Sequence, residues 1–252
     1  MDLDDLISRF TASPDERWDI CAQLYNALES GGAEPIDLTS FAPSFASFWR
    51  DINDQVRPFQ RPRGHSWRWR EEYQDPRNEA ILLLDILGYV PGEEVVAELR
   101  KALTLEDQRL VMFAAMSLLR QDQALSPETI SGIAACDETR NLFRGLLAEV
   151  GYGYLFPPDY ADPECVARSA MVEWLTNPTE WECAPDEIEL MSIIGNDVFV
   201  YRFRVEGSRP WAAGIAGRIV FSDFQPAASA TAEEHAVRML LRFPDDATGH
   251  RH

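Results

Sequence analysis

The chain has 252 residues, 46% of them hydrophobic and 26% charged, with a net charge of −19 and a pI near 4.5. That is enough chain for one large or two small domains with a real core. The charge disfavours nucleic acid and anionic membrane, and suits either plain solubility or a basic protein partner.

Other global features are quieter. Lys101 is the single lysine and every other basic residue is arginine, a habit of GC-rich bacterial genomes. Cys21, Cys136, Cys165 and Cys183 are scattered, without a C-x-x-C pair or a histidine at ligand spacing, as expected of free thiols in a reducing compartment. The acidic start Met1-Asp2-Leu3-Asp4-Asp5 lacks the features of a secretory signal, and no stretch approaches a membrane span, so a cytoplasmic location is expected.

The first 55 residues read as helical. Ser13-Pro14-Asp15-Glu16 has the form of a capping box, and Trp18, Cys21, Leu24, Tyr25 and Leu28 mark one face up to Gly31-Gly32. A further helix is expected over 43–56, with Phe45, Phe48, Trp49, Ile52 and Val56 at helical spacing. Residues 57–70, RPFQRPRGHSWRWR, differ from everything around them: five arginines, one histidine, two tryptophans and no acid. Two prolines and a glycine argue against regular structure there.

From 78 to 150 apolar helical segments recur: 78–88, 93–103, 106–120, a segment opened by Ser126-Pro127-Glu128, and 139–150. Ile81, Leu110 and Leu142 begin corresponding segments, a period of roughly 29 to 32 residues, inside the window for stacked helical repeats. An irregular helical bundle is the alternative. After Val150 an aromatic, proline-bearing connector, GYGYLFPPDY, marks a domain boundary. Asp162-Pro163-Glu164 opens a helix to about Leu175. The alternating EIELMSII of 187–194, the turn Gly195-Asn196-Asp197 and VFVYRFRV of 198–205 predict a β-hairpin. Short strands are expected over 211–216 and 219–221, and a closing helix over 235–243 behind a capping box at 231–234.

The helical segments of 77–150 resemble HEAT-like repeats. The stretch 171–217 is similar to a module that follows such repeats in uncharacterised bacterial proteins, on the elements Trp174-Leu175, Pro178-Thr179-Glu180, Pro185-Asp186-Glu187-Ile188-Glu189, Tyr201-Arg202-Phe203-Arg204 and Trp211 to Gly214. The resemblance implies an architecture and assigns no activity. The expected fold is mainly α: a HEAT-like helical hairpin array over 1–152 with N-terminal capping helices, then a small α+β module with a short antiparallel sheet over 153–252.

Two constellations are candidate surfaces. In the basic island, Arg57, Arg61, Arg63, Trp67, Arg68, Trp69 and Arg70 have the side chains that grip phosphate and stack bases. Yet residues 1–54 carry eleven acids against three bases, which opposes nucleic acid and favours an ordered loop whose tryptophans pack on the first repeat. The second is acidic: residues 156–200 hold ten acids and one base, and Asp159, Tyr160, Asp162, Glu180, Trp181, Glu182, Asp186 and Glu187 are its candidates for protein binding. Helix caps and a solvated face explain the same acids, and no calcium or magnesium loop accompanies them. Within this stretch, Glu180 and Glu187 are expected to pair with Arg202 and Arg204, holding loop to sheet. If a specific surface exists, it is expected near 152–189.

No nucleophile elbow, zinc-protease motif or phosphate loop occurs, so no catalytic residue, metal or cofactor is assigned. The expected function is non-enzymatic binding of a protein, with a basic partner favoured, and no nucleic acid or membrane. Its sharpest form is an immunity or antitoxin-like inhibitor. A scaffold or regulatory adaptor, and an enzyme using the connector carboxylates, are the alternatives. Oligomeric state is left open.

Overall fold

The computed structural model describes residues 3–13, 16–29, 37–61, 66–176, 184–195, 198–204 and 211–217. The fold is mainly α, with a small three-stranded antiparallel sheet towards the C-terminus. In chain order the helices are α1 (Leu3–Ala12), α2 (Arg17–Glu29), α3 (Ala42–Val56), α4 (Glu71–Leu87), α5 (Glu93–Ala102), α6 (Gln108–Arg120), α7 (Pro127–Ala135), α8 (Arg140–Glu149) and α9 (Pro163–Thr176). The strands are β1 (Glu187–Ile194), β2 (Val198–Arg204) and β3 (Ala212–Gly217). The expected strand over 219–221, the closing helix and Gly31-Gly32 lie outside the described residues. The chain forms two compact units, Met1–Ile133 with Leu146–Gly153 and Ala134–Gly145 with Tyr154–His252, so the division passes through α7 and α8.

In the first unit the apolar periodicity sets which face of each helix is buried. Phe45, Phe48, Trp49, Ile52 and Val56 all turn inward on α3. There Phe45 and Phe48 meet Phe10, whose ring stacks on Phe45 at 4.6 Å between centroids and meets Phe48, and Phe41 just before α3, edge-on. Helices α2, α4 and α6 pack in succession, α3 packs beside α5, and the pairs α3–α4 and α5–α6 join the two rows. Helix α4 begins well before the segment expected at 78 and runs through Pro76. The proline lies near the helix start, where its missing N–H removes a single intrahelical bond.

Side-chain bonds to backbone stitch α4 to α6 at a regular offset. Ser117 Oγ donates to Leu84 O at 2.6 Å, 33 residues away, and Gln121 Nε2 to Leu87 O at 2.7 Å, 34 residues away. Arg120 pairs with Asp85, 35 residues away, and its guanidinium lies 5.0 Å from the Tyr89 ring centroid. The helices approach so closely here that a Cβ on Gly88 would lie 3.0 Å from Ser117 Cα, which is backbone and cannot swing aside. Gly88→Val is therefore expected to cost about 1–3 kcal/mol by overpacking, read as a lower urea midpoint at unchanged slope.

In the second unit the sheet order is β1-β2-β3, antiparallel throughout. Alternation along β2 sends Phe199, Tyr201 and Phe203 inward onto Ala167, Met171 and Leu175 of α9. Gly195, at φ 64°, opens the turn after β1, a conformation that suits glycine. The pairing slips between Leu190 and Ser192, so Met191 forms a β-bulge in β1.

Candidate functional site

The basic island divides. Trp67 is buried and meets the Tyr73 ring edge-on at 5.1 Å, and Arg68 is also buried. Trp69 lies under the Arg77 guanidinium at 5.6 Å. Arg57, Arg61 and Arg70 are exposed, and Arg61 turns back to donate to Pro58 O and Gln60 O at 2.6 and 2.8 Å. Arg63 lies outside the described residues. The tryptophan faces that would stack bases are thus in part committed to the fold.

Beneath the island sits a buried polar centre. Asp107 caps α6 by accepting the Arg109 N–H at 2.9 Å. The same carboxylate accepts from Arg77 Nε at 2.7 Å, from Arg77 Nη2 at 3.3 Å and from the Tyr73 hydroxyl at 3.0 Å. Burial pushes the Asp107 carboxyl up, but the Arg77 charge and these donors outweigh it and hold the group below the usual carboxylate range. Burial, then the Asp107 charge, raises the Tyr73 hydroxyl well above its ordinary value. The Asp107 carboxylate is fully buried and takes donors from Arg77, Tyr73 and Arg109, which makes the arrangement a structural clasp.

The acidic candidates stand in separate groups. Asp159 and Tyr160 lie in a short turn before α9, where the Arg140 guanidinium sits 5.8 Å from the Tyr160 ring centroid. Asp162 starts α9 and accepts the Glu164 N–H at 2.8 Å, so one of these acids is a helix cap. Asp186 and Glu187 lie at the start of β1: the Asp186 N–H donates to Arg204 O at 3.0 Å, and Glu187 accepts from Arg204 Nη2 at 2.6 Å. Glu180, Trp181 and Glu182 lie outside the described residues. Arg202 takes Glu189, through its Nε at 2.8 Å, and Trp211 lies under both arginines at 4.5 and 4.8 Å. Glu187 pairs with Arg204 as expected, but both this pair and Glu189–Arg202 join β1 to β2 within the sheet rather than a loop to the sheet, and Glu180 lies outside the described residues.

Two features carried no flag in the sequence. Arg140 is buried and its guanidinium closes the C-terminal end of α7, donating to Ala134 O and Ala135 O at 2.8 and 2.9 Å, and it also donates to Cys165 O in α9 at 2.7 Å. Asp137 balances it at 2.6 Å and also takes Arg168 at 2.8 Å. The second feature is the end of β1, where Met191, Ile193 and Ile194 are 55%, 50% and 53% exposed. Their only signal is that the alternation of EIEL gives way to MSII, placing two isoleucines side by side.

The thiols differ in burial. Burial pushes the Cys21 thiol up to about 12, while Cys136 and Cys165 are partly exposed. Iodoacetamide at pH 8 is expected to label Cys136 and Cys165 in the native protein and to spare Cys21 until the chain is unfolded; mass mapping of the labelled peptides checks this. Among the described residues no group of three or more His, Cys, Asp or Glu side chains is placed to hold a metal, and no helix is long and apolar enough to cross a membrane.

No family model, curated protein or solved structure matches the chain.

Proposed function

We propose that this chain is a non-enzymatic protein-binding protein whose helical unit is a HEAT-like array, and that it acts by covering a basic partner. The sharpest form is an inhibitor of the immunity or antitoxin kind. The observation that carries the reading is where the charge goes. Arg77, Arg120, Arg140, Arg168, Arg202 and Arg204 are each tied to a carboxylate of this same chain. Such pairs cancel acid against base and leave the excess of −19 for the remaining surface. A surface of that sign accelerates capture of a basic protein and rejects nucleic acid.

The division into two compact units supports a second form, an adaptor whose units each hold a partner.

The test is capture by the full-length chain at low salt, followed by co-expression with the captured protein. The proposal expects one stoichiometric partner with a pI above about 9, whose activity the chain suppresses. Capture of acidic proteins alone, or an undiminished partner activity, would count against it.

A further inference from the structure

We propose that the apolar end of β1, formed by Met191, Ile193 and Ile194, is the anchor by which this chain enters a cleft on a basic protein; the proposal rests on the protein-binding reading above. These residues are the large hydrophobics more than about half exposed in the described part of the second unit, apart from Tyr154 at 78%. They are concentrated within four residues. Ile193 pairs with Phe199, on the row that faces the core, and Ile194 pairs with Val198 on the opposite row. Consecutive strand residues point to opposite faces, so the hairpin end presents apolar side chains on both sides. A shape of that kind fits into a cleft better than onto a flat surface.

The mode of contact follows from the bulge. Slippage at Met191 interrupts the ladder in the middle of β1. Such a break discourages addition of a foreign strand to the edge. Recognition therefore falls to the side chains. Burying them carries no charge penalty, because the stretch from Leu190 to Gly195 has no ionisable residue, and the glutamates just before it, Glu187 and Glu189, are already paired with Arg204 and Arg202.

Charge selects the occupant. Three side chains cannot by themselves supply the ~1,200 Å² that a stable interface buries, so the surrounding surface must join in. The described residues of this unit carry nine acids and five arginines. Against a second copy, acid would meet acid. Against a basic protein the unit's excess of acid is attractive, while the apolar end of β1 supplies the buried centre of the contact.

The experiment places a photo-crosslinking residue in the full-length chain, Ile193→p-benzoylphenylalanine, and in a separate chain Glu72→p-benzoylphenylalanine on the exposed start of α4, each irradiated in the source cell. The proposal expects one protein of pI above about 9 to be captured from position 193. It further expects the complex, rebuilt from purified components, to weaken tenfold or more on Ile193→Ser with Ile194→Ser, while the circular dichroism of the double variant is unchanged. An unchanged affinity overturns it. So does capture of lipid, or of a second copy at twice the chain mass. Capture of a basic protein from position 72 and not from 193 overturns the anchor and leaves the protein-binding reading standing. Capture of no protein from either position overturns both.

Discussion

Replacing Asp107 with alanine is expected to destabilise the helical unit by about 3–5 kcal/mol, because it leaves the buried Arg77 guanidinium without its counter-charge. The same change removes the cap of α6 and the carboxylate that accepts from the Tyr73 hydroxyl. Tyr73→Phe, which deletes one donor and leaves the ion pair, is expected to cost only about 1 kcal/mol. Removing both charges, Arg77→Met with Asp107→Leu, is expected to recover most of the loss, since desolvation of the pair offsets much of its attraction. Urea unfolding of the four proteins at pH 7 checks the order. An Asp107→Ala loss no larger than that of Tyr73→Phe would show that the clasp does not hold this unit together.

The clasp also sets a pH dependence. A carboxyl held below its ordinary range stabilises the fold fully above the unfolded value near ~3.9. That contribution is lost as pH falls below this value towards the lower folded one. Acid titration followed by circular dichroism should therefore show the wild type losing stability below about pH 4 more steeply than the Arg77→Met, Asp107→Leu variant.

Phe203→Ala is the second change with a large expected effect, and it falls on the other unit. Phe203 is fully buried between the sheet and α9, in one cluster with Tyr201, Met171 and Leu175. Truncating a buried phenylalanine costs about 3–5 kcal/mol, part transfer and part cavity. Among the described residues this cluster is formed by one three-stranded sheet and one covering helix, so few other contacts there share that loss. Hydrogen exchange at the amides of β2 is the suitable readout, because it reports this unit separately from the helices. Protection should fall by two orders of magnitude or more in Phe203→Ala. In Tyr201→Phe, which loses only the bond from its hydroxyl to Glu164 O at 2.9 Å, it should fall by about tenfold. Equal protection in wild type and Phe203→Ala would mean that the cluster is not the core of the unit.

Much of this architecture is legible in the chain because its cause is local. Apolar residues every three or four positions place α3, α5 and α6 within a residue or two of their observed ends, and partial alternation on either side of a Gly-Asn-Asp signal places β1 and β2. What was not legible depends on register between elements. Periodicity says which face of α4 is apolar, but not that Arg77 will lie against Asp107, 30 residues on. Nothing near Arg140 in the chain announces that it will reach back to close α7. The basic island was legible in part: its acidic surroundings favour an ordered loop with packed tryptophans, and Trp67 is buried, but which arginine would be buried with it, Arg68, and which would stay outside, Arg57, Arg61 and Arg70, depends on packing. Exposure of Ile193 and Ile194 is likewise a property of what does not cover them, which a strand pattern cannot express.

The affinity of the full-length chain for its captured partner, measured by calorimetry at 50 and 300 mM NaCl, is the most direct test of an acidic binding surface. An acidic surface closing on a basic protein predicts a dissociation constant at least tenfold weaker at the higher salt, with a negative heat-capacity change from the buried apolar anchor. An affinity indifferent to salt, for a partner of neutral or acidic charge, would contradict it.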